Sequence, residues 1–195
     1  PGRTRRNTAA IARLALHSRA CLHLLRDETG LEYDRIEKGI LHLFFSSRDF
    51  AQAGQRAALL QGFGMRAEVL DARGCLAAEP ALAHCRDALC GGLYAPEDET
   101  GDALAFTQKL AALCIQAGVV FRHGLRIHSL DAGAGGIAAA LVVDPHDATE
   151  RIGGDAYLLA LGSYSALLAR PLGLSLPIYP VKGYSVTLPL AENSD

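Results

Sequence analysis

An apolar run that stops on a small polar pair, Gly162-Ser163, is one place where this chain could carry chemistry. The run from Ala156 to Leu161 has no polar alternation, which is typical of a strand buried on both faces. Gly162 permits a tight turn, and Ser163 is placed to cap a helix over 166–168. A strand–helix junction exposes backbone N–H groups that can bind a phosphate-bearing ligand. Because most such junctions bind nothing, the pattern alone leaves both interpretations open.

An acidic turn is a second candidate. Four carboxylates lie close together, at Glu97, Asp98, Glu99 and Asp102. Paired carboxylates can serve acid–base catalysis or bind a divalent metal. The proline and glycine beside them are turn formers, and Asp102 is placed to cap the following helix. We therefore interpret the cluster as a turn and a helix N-cap.

The cysteines and histidines predict no metal site. Seven histidines lack the spacing of metal ligands. An odd number of cysteines at irregular spacing indicates reduced, buried thiols in a cytoplasmic protein rather than a disulfide framework. The five cysteines are Cys21, Cys75, Cys85, Cys90 and Cys114.

Composition excludes several classes of function. With 195 residues, half of them apolar, the chain can bury a core as one domain or two small ones. A net charge of −2 gives no field that would favour nucleic acid. The local cluster Arg3, Arg5 and Arg6 is interpreted as a solvated terminus. No apolar run approaches the ~20 residues that cross a bilayer.

Periodicity and capping residues predict alternating helices and strands. The first helix begins at Asn7 or Thr8 and ends at Gly30. The second is capped at 46–47, with Phe50, Ala53, Ala57 and Leu60 on one face. Asp71 caps a brief helix that Pro80 ends, and Asp102 caps a helix that ends at Gly118. The predicted strands and extended segments are 33–38, 40–45, 65–70, 91–96, 119–122, 126–130, 137–143, 150–153, 156–161 and 184–188.

Several strings of residues resemble one known family. They are LALGSYSALL at 159–168, LPIYPVKGYSVTLPL at 176–190, YDRIEKGILHLF at 33–44, and DETGD at 98–102 followed by FTQKLA at 106–111. In order and spacing they resemble the FAD-dependent amino-acid oxidase and dehydrogenase family, and within it the D-amino acid dehydrogenases. The resemblance extends over almost the whole chain.

The resemblance implies an α/β (α+β) fold with part of an FAD-binding domain and part of a substrate-binding domain that contains a mixed sheet. It assigns 1–30 to a helix leading into the substrate domain, 31–97 to that domain, 98–175 to the FAD domain, and 176–195 to a return strand. Family members are longer and begin with a glycine-rich dinucleotide-binding loop, and no G-x-G-x-x-G occurs here. The glycines at 133, 135 and 136 are interpreted as a turn. We therefore expect an internal fragment that is inactive alone.

The resemblance also assigns site residues. At matched positions, Ile127 would offer its backbone to the adenine of FAD, and Ala160, Gly162 and Ser163 would lie near the ADP moiety. Lys182, Gly183 and Tyr184 are candidates for the substrate side. The catalytic residues are unknown, since no nucleophile–base arrangement is recognisable. In a flavoenzyme the cofactor accepts the hydride from the substrate, so a side-chain base is not required.

The implied activity is oxidation of a D-amino acid to a 2-oxo acid and ammonia, with electrons passing to a respiratory acceptor. One alternative is a glycine- or amine-type flavin oxidase that uses oxygen. Another is a catalytically silent binding module of the same fold, because fold does not fix function. The family implies a cytoplasmic protein, peripheral at the inner face of the bacterial inner membrane. A chain of this kind would expose apolar surface, so we expect it to self-associate.

Overall fold

The structure, a computed structural model, describes residues 2–133 and 135–184. The chain divides after Val119 into two compact units. Both contain helix and sheet, as the predicted α+β class requires. The assignment of residue ranges to substrate-side and flavin-side domains stays a prediction.

The first unit is mainly helical, with one small sheet. Its α-helices are α1 (Gly2–Thr29), α2 (Ser47–Phe50), α3 (Ala53–Gln61), α4 (Ala72–Ala78) and α5 (Ala103–Gln116), and a 3-10 helix covers Pro80–Ala88. Its strands are β1 (Ile40–Phe44), β2 (Glu68–Asp71) and β3 (Gly91–Ala95).

Helix α1 begins earlier than its capping residues predict. The predicted start at Asn7 or Thr8 is wrong, because both lie inside the helix. The Thr8 hydroxyl donates to the carbonyl of Thr4 at 3.0 Å, a bond to the preceding turn that competes with capping. The predicted end is confirmed: Gly30 has φ +65° and donates its N–H to the Arg26 carbonyl.

The sheet of the first unit has the order β1-β3-β2, and both pairs are antiparallel. One of its faces packs on α3, where Phe44, Leu93, Ala53, Ala57 and Ala67 form a buried cluster. Phe50 and Leu60 pack against this cluster, so the apolar positions predicted for the second helix do face the core. The prediction of a single helix there is wrong, because a turn at 51–52 separates α2 from α3.

The strand predicted over 33–38 is wrong. Asp34 has φ +53°, which interrupts an extended chain. Backbone bonds instead tie this segment to the acidic turn, since Ile36 and Thr100 form an isolated antiparallel bridge. The Asp102 N–H also donates to the Tyr33 carbonyl at 2.8 Å.

Three predicted helix caps are confirmed. The Asp71 carboxylate accepts from the Gly74 N–H at 2.7 Å. The Asp102 carboxylate accepts from the N–H groups of Leu104 and Ala105 at 2.7 and 3.0 Å. Ser46 caps α2, and its hydroxyl accepts from a backbone N–H at 3.4 Å. Each cap satisfies amides that the first helical turn leaves unpaired.

The second unit contains an antiparallel sheet of β4 (Arg126–Gly133), β5 (Gly136–Val143) and β6 (Thr149–Ile152), in sequence order. The predicted glycine turn joins β4 to β5, where Gly133 pairs with Gly136. The strand predicted over 119–122 is wrong, because the Val119 N–H is used at the end of α5, where it donates to the Cys114 carbonyl. All strand pairs among the described residues are antiparallel.

The apolar run 156–161 is not a strand buried on both faces. Within 2–133 and 135–184 the run has no regular secondary structure and pairs with no strand. Tyr157, Leu159 and Leu161 are half-buried, whereas Leu158 between them is 94% exposed. The apolar run therefore has one covered face and one exposed face. Both faces of a strand are buried only where other parts of the protein cover both sides, and that is not the case here.

The predicted cap at Ser163 is also wrong. Residues Gly162–Tyr164 form a 3-10 turn, and α6 (Ser165–Ala169) and a second 3-10 turn (Arg170–Leu172) follow. A residue within a helical turn lacks the extended backbone that an N-cap needs. Helix α6 has no side-chain N-cap bond, and the hydroxyl of Ser165, inside the helix, accepts from the preceding Leu161 N–H at 3.1 Å.

Among the described residues, no helix is both long enough and apolar enough to cross a membrane.

Candidate functional site

An apolar cleft of about 340 Å³ is the clearest candidate for a binding site in the second unit. Strands β4 and β5 contribute Ile127, Leu130, Ile137 and Ala140 to its lining. The apolar run 157–161 and residues between 168 and 174 complete it. A flat, largely apolar group is the kind of ligand that suits such a lining.

Ile127 and Ala160, which are far apart in the sequence, both line this cleft. Ile127 lies on β4 opposite Val142, and an irregularity in the pairing follows between Ile127 and Ser129. A bulge leaves a residue outside the ladder. Strand β4 is also an edge strand among the described residues, so part of its backbone has no strand partner. Backbone groups near Ile127 are thus available to a ligand.

Gly162 and Ser163 follow directly after the cleft-lining run. Gly162 has φ +55°, a left-handed conformation that favours glycine, although a Cβ there would meet no atom within 4 Å. The turn is therefore set by the backbone conformation rather than by close packing. The helix after it, α6, has only five residues, which is too short for a large macrodipole.

A second concavity, of about 260 Å³, shares Ile127, Leu161 and Leu168 with the cleft. The side chains of Tyr164 and Leu167 line it, together with Arg126. The guanidinium group of Arg126 could bind the anionic part of a ligand whose flat part occupies the cleft.

Lys182, Gly183 and Tyr184 do not line either concavity. They are extended and exposed, and the Lys182 ammonium lies 5.3 Å from the centre of the Tyr184 ring. This distance is within the range of a cation–π contact. The rest of the predicted strand 184–188, and of the return segment to 195, lies outside the described residues.

The first unit contains an ion-pair network around Arg26. Its guanidinium donates to Glu99 Oε1 at 2.5 Å, to the Tyr33 hydroxyl at 3.0 Å and to Glu37 Oε1 at 3.0 Å. The side chains of Arg26 and Glu99 are 9% and 12% exposed. His23 Nε2 lies 3.5 Å from the second oxygen of Glu99. These contacts join the end of α1 to the acidic turn.

Charge and burial act in opposite directions on Glu99. Burial raises the pKa of its carboxyl, but the hydrogen bond and positive charge of Arg26, with smaller effects of His23 and Tyr33, outweigh burial and hold the pKa below its usual value. The hydrogen bond to Glu99 likewise raises the pKa of Arg26, against the effect of burial.

His23, Glu37 and Glu99 place three potential metal-ligand atoms within 4.8 Å of one another. Arg26 already binds both carboxylates, through Nη1 to Glu99 and Nη2 to Glu37. The guanidinium is therefore the cation of this cluster, and the geometry indicates an ion-pair network rather than a metal centre.

Reasoning from the sequence missed both Arg126 and the Arg26 network. A charged residue at the start of a predicted strand gives no sign that it lines a cavity. Arg26 and Glu99 are 73 residues apart, and only the tertiary fold pairs them. The resemblance to a known family did assign Ile127 and Ala160, which both line the cleft.

The chain matches the family described as FAD dependent oxidoreductase over residues 1–195. It is 47% identical over 194 residues to a D-amino acid dehydrogenase of Dechloromonas aromatica, covering 100% of this chain and 46% of that protein. It is 48% identical over 190 residues to a D-amino acid dehydrogenase of Methylobacterium nodulans, covering 97% of this chain and 44% of that protein. The chain thus spans less than half the length of these curated relatives.

Solved structures agree on the fold. Glycine oxidase from Geobacillus kaustophilus is similar with a TM-score of 0.71 and 26% identity, over 86% of this chain and 44% of that one. L-proline dehydrogenase from P. horikoshii is similar with a TM-score of 0.68 and 14% identity, over 83% of this chain and 41% of that one. At this identity the similarity concerns the fold alone. Together with the match over residues 1–195, these similarities show that the chain belongs to the FAD dependent oxidoreductase family.

Proposed function

We propose that this chain is part of an FAD-dependent enzyme that oxidatively deaminates D-amino acids to 2-oxo acids and ammonia. The observation that carries the proposal is 47% identity, over the whole chain, to a protein named D-amino acid dehydrogenase. We further propose that its electrons pass to a respiratory acceptor, and that the enzyme is peripheral at the inner face of the bacterial inner membrane.

The residues of the second unit fit the flat, apolar part of a dinucleotide. The backbone at Ile127 would contact the adenine, and Ala160, Gly162 and Ser163 would lie along the ADP moiety. Support comes from the joint presence of Ile127 and Ala160 in one apolar cleft, and from the edge position of β4 among the described strands. Arg126 would add a positive charge near the diphosphate.

When bound, the flavin accepts the hydride equivalent that leaves the amino-acid Cα. The role of this chain would be to bind and orient: its apolar cleft would exclude water from one end of the cofactor, and the turn at Gly162 would bring backbone N–H groups close to it. With the amine bound uncharged, loss of hydride from Cα would let the nitrogen lone pair form a C=N bond, and the resulting iminium would release a proton to solvent. Water would then hydrolyse the imino acid to 2-oxo acid and ammonia.

On the substrate side, we propose that Lys182 attracts the carboxylate of the amino acid and that Gly183 and Tyr184 line its approach. The Lys182 ammonium group is exposed and, among the described residues, contacts the ring of Tyr184. This contact leaves the N–H donors of Lys182 accessible to an anion. The substitution Lys182→Met would then raise KM for D-alanine by about tenfold, the loss expected for one charge-assisted contact, with a smaller change in kcat. Lys109→Met is the matched control, because its ammonium donates to the Glu32 carbonyl at 2.6 Å in the other unit.

A second candidate is an oxidase that reduces oxygen to peroxide. The observation that favours it is the 26% identity and TM-score of 0.71 with a glycine oxidase. The two candidates differ in the electron acceptor rather than in the oxidation of the amino acid.

The deciding experiment uses a protein that extends this chain to the length of its relatives. We expect D-alanine, but not L-alanine, to reduce an artificial dye, with little peroxide formed. Peroxide in proportion to substrate consumed would favour the oxidase. If no D-amino acid reduced either acceptor in a protein that holds FAD, the chain would be a silent module of the same fold.

The 195-residue chain alone is tested by visible absorption with added FAD, before and after D-alanine. We expect no stoichiometric yellow chromophore after gel filtration, because the sequence contains no G-x-G-x-x-G to hold the diphosphate. A retained chromophore that bleaches with D-alanine would contradict this expectation and show a complete flavin site.

In the extended protein, Ile127→Glu tests the adenine position. A carboxylate in the apolar cleft should lower the flavin content of the purified protein by about tenfold, because a charge is costly to bury there. Val181→Glu is the control, since Val181 is 92% exposed. Equal flavin content in both variants would count against the cleft as the adenine site.

A further inference from the structure

Tyr157 joins two parts of the lining of the apolar cleft. Its hydroxyl donates to the carbonyl of Ala138 on β5 at 2.9 Å. Tyr157 itself begins the apolar run 157–161 that lines the cleft, and β5 contributes Ile137 and Ala140 to the same lining. A side-chain hydrogen bond therefore connects the run to the sheet, and its acceptor lies between two residues of the cleft.

The Ala138 carbonyl can accept this bond because β5 has an extra residue at this point. The register between β4 and β5 shifts between Asp131 and Ala132, and Ala138 pairs with neither of them. Pairing of β5 with β6 begins only at Ala140. The backbone groups of a bulged residue lie outside the ladder and need another partner. The hydroxyl of Tyr157 is such a partner.

The other end of the run is held by Ser165. This residue is only 4% exposed, and its hydroxyl accepts from the Leu161 N–H at 3.1 Å. The run thus has one side-chain hydrogen bond at each end, from Tyr157 to the sheet and from Leu161 to α6. Leu159 and Ala160 lie between these bonds and pair with no strand in the described part of the chain.

These two bonds limit how far the cleft can close. Burial of apolar surface favours contact between the side chains that line an empty apolar cleft of about 340 Å³. Moving the run toward the sheet would break the bonds of Tyr157 and Ser165 and leave their partners unpaired. A site that is already held in its binding geometry avoids the cost of ordering when a ligand arrives.

We propose that Tyr157 and Ser165 are positioning residues that set the width of the cleft for the adenine part of FAD. This inference rests on the proposed function, in which the cleft binds that part of the cofactor. The two hydroxyls act through the run between them, whose Ala160 is proposed to lie along the ADP moiety.

The test uses the apo form of a protein that extends this chain to the length of its relatives. Tyr157→Phe removes the hydroxyl and keeps the ring that lines the cleft, and Ser165→Ala removes the second hydroxyl. Each should weaken FAD binding about fivefold, the loss expected for one hydrogen bond. The change in flavin fluorescence on binding measures the dissociation constant. Tyr179→Phe is the matched control, because Tyr179 is 81% exposed and lines neither concavity.

FMN distinguishes a positioning role from a general loss of structure. FMN lacks the adenylate part of FAD, so its affinity should not depend on the width of an adenine cleft. We expect Tyr157→Phe to raise the dissociation constant of FAD and to leave that of FMN unchanged. An equal loss of affinity for both flavins would overturn the proposal, and so would an unchanged affinity for FAD.

Amide hydrogen exchange in the same apo protein tests the position of the run without any flavin. Ser165→Ala removes the acceptor of the Leu161 N–H, so this amide should exchange about fivefold faster. Because both bonds hold the same run, Tyr157→Phe should also speed exchange at Leu161, whereas Tyr179→Phe should not. An unchanged rate in Tyr157→Phe would show that its hydroxyl does not hold the run.

These measurements do not depend on turnover. If the protein held FAD but oxidised no D-amino acid, the proposed reaction would fail and the comparison of flavin affinities would still decide the role of Tyr157. If Ile127→Glu lowered the flavin content while Tyr157→Phe and Ser165→Ala bound FAD like the unchanged protein, the cleft would remain the adenine site and only the positioning role would fail.

Discussion

Arg26 and Glu99 show what single residues contribute in the first unit. They are the least exposed ion pair among the described residues, and Arg26 also binds Tyr33 and Glu37. The Arg26 Nε is buried and, within the described part of the chain, has no hydrogen-bond partner. Removing Glu99 would leave a larger part of this guanidinium uncompensated, and an uncompensated buried charge is costly.

We therefore expect Glu99→Gln to lower the free energy of unfolding by about 2 kcal/mol, somewhat less than for a fully buried pair because Glu99 keeps some contact with solvent. Urea denaturation measures this change. Glu150→Gln is the control, because its bidentate pair with Arg122 is exposed and should contribute little. If the two substitutions had equal effects, burial would not be the reason for the strength of the Arg26 pair.

The same pair predicts how stability depends on pH. Because the folded-state pKa of Glu99 is lowered from its ordinary value of 4.5, the pair stabilises the protein fully above that value. Its contribution is lost as the pH falls through the lower folded-state pKa. The difference in unfolding free energy between the unchanged chain and Glu99→Gln should thus shrink below pH 4.5. Urea denaturation over a series of pH values on both sides of this point measures it, and a constant difference would refute this assignment.

At the scale of elements, helix α5 depends on the residue that caps it. Asp102 accepts two backbone N–H bonds and also donates its own N–H to Tyr33, so it fixes both the helix and the acidic turn. Tyr33 in turn packs edge-on against Phe106 at a ring distance of 5.1 Å. The start of α5 is therefore defined by side-chain capping and by packing together.

We expect Asp102→Ala to destabilise the chain by about 1 kcal/mol, the usual cost of losing an N-cap side chain. Asp102→Ser should recover most of this loss, because a hydroxyl can accept the same bonds. Asp98→Ala is the control, since the Asp98 side chain makes a long contact of 3.9 Å with Arg19. Thermal unfolding followed by circular dichroism compares the three, and a Ser variant no better than Ala would mean that capping is not the cause.

At the scale of the whole molecule, the second unit has much exposed apolar surface. Leu158, Leu167 and Val181 are 94%, 60% and 92% exposed. Patches of this kind are normally covered by another part of a protein or by a partner. We therefore expect the 195-residue chain to self-associate in solution.

Light scattering over a dilution series measures this association. Leu158→Asp should shift the chain toward monomer, because it places a charge at the centre of the exposed run. Gln55→Asp is the control, since it adds the same charge at an exposed polar position of the first unit. A monodisperse monomer for the unchanged chain at all concentrations would contradict the prediction.

Several helix caps, two glycine turns and the family are features that the sequence predicts correctly, whereas the predicted caps at 7–8 and at Ser163 are wrong. Asp71 and Asp102 cap helices as predicted, and Gly30 and Gly162 adopt the left-handed conformation of a turn, because these features depend on residues a few positions apart. The strings at 33–44 and 159–168 indicate the flavoenzyme family on their own, and the match over residues 1–195 confirms it.

The tertiary structure alone decided which segments pair and which charges meet. The run 156–161 is apolar enough to be a strand, yet a strand forms only where another chain segment supplies hydrogen-bond partners. Residues 33–38 fail for a different reason, because Asp34 has φ +53° and interrupts the extended chain. The contact of Arg26 with Glu99, and the shared cleft of Ile127 and Ala160, likewise join residues that are distant in sequence. Such long-range contacts depend on the packing of the whole unit, which no local pattern of residues encodes.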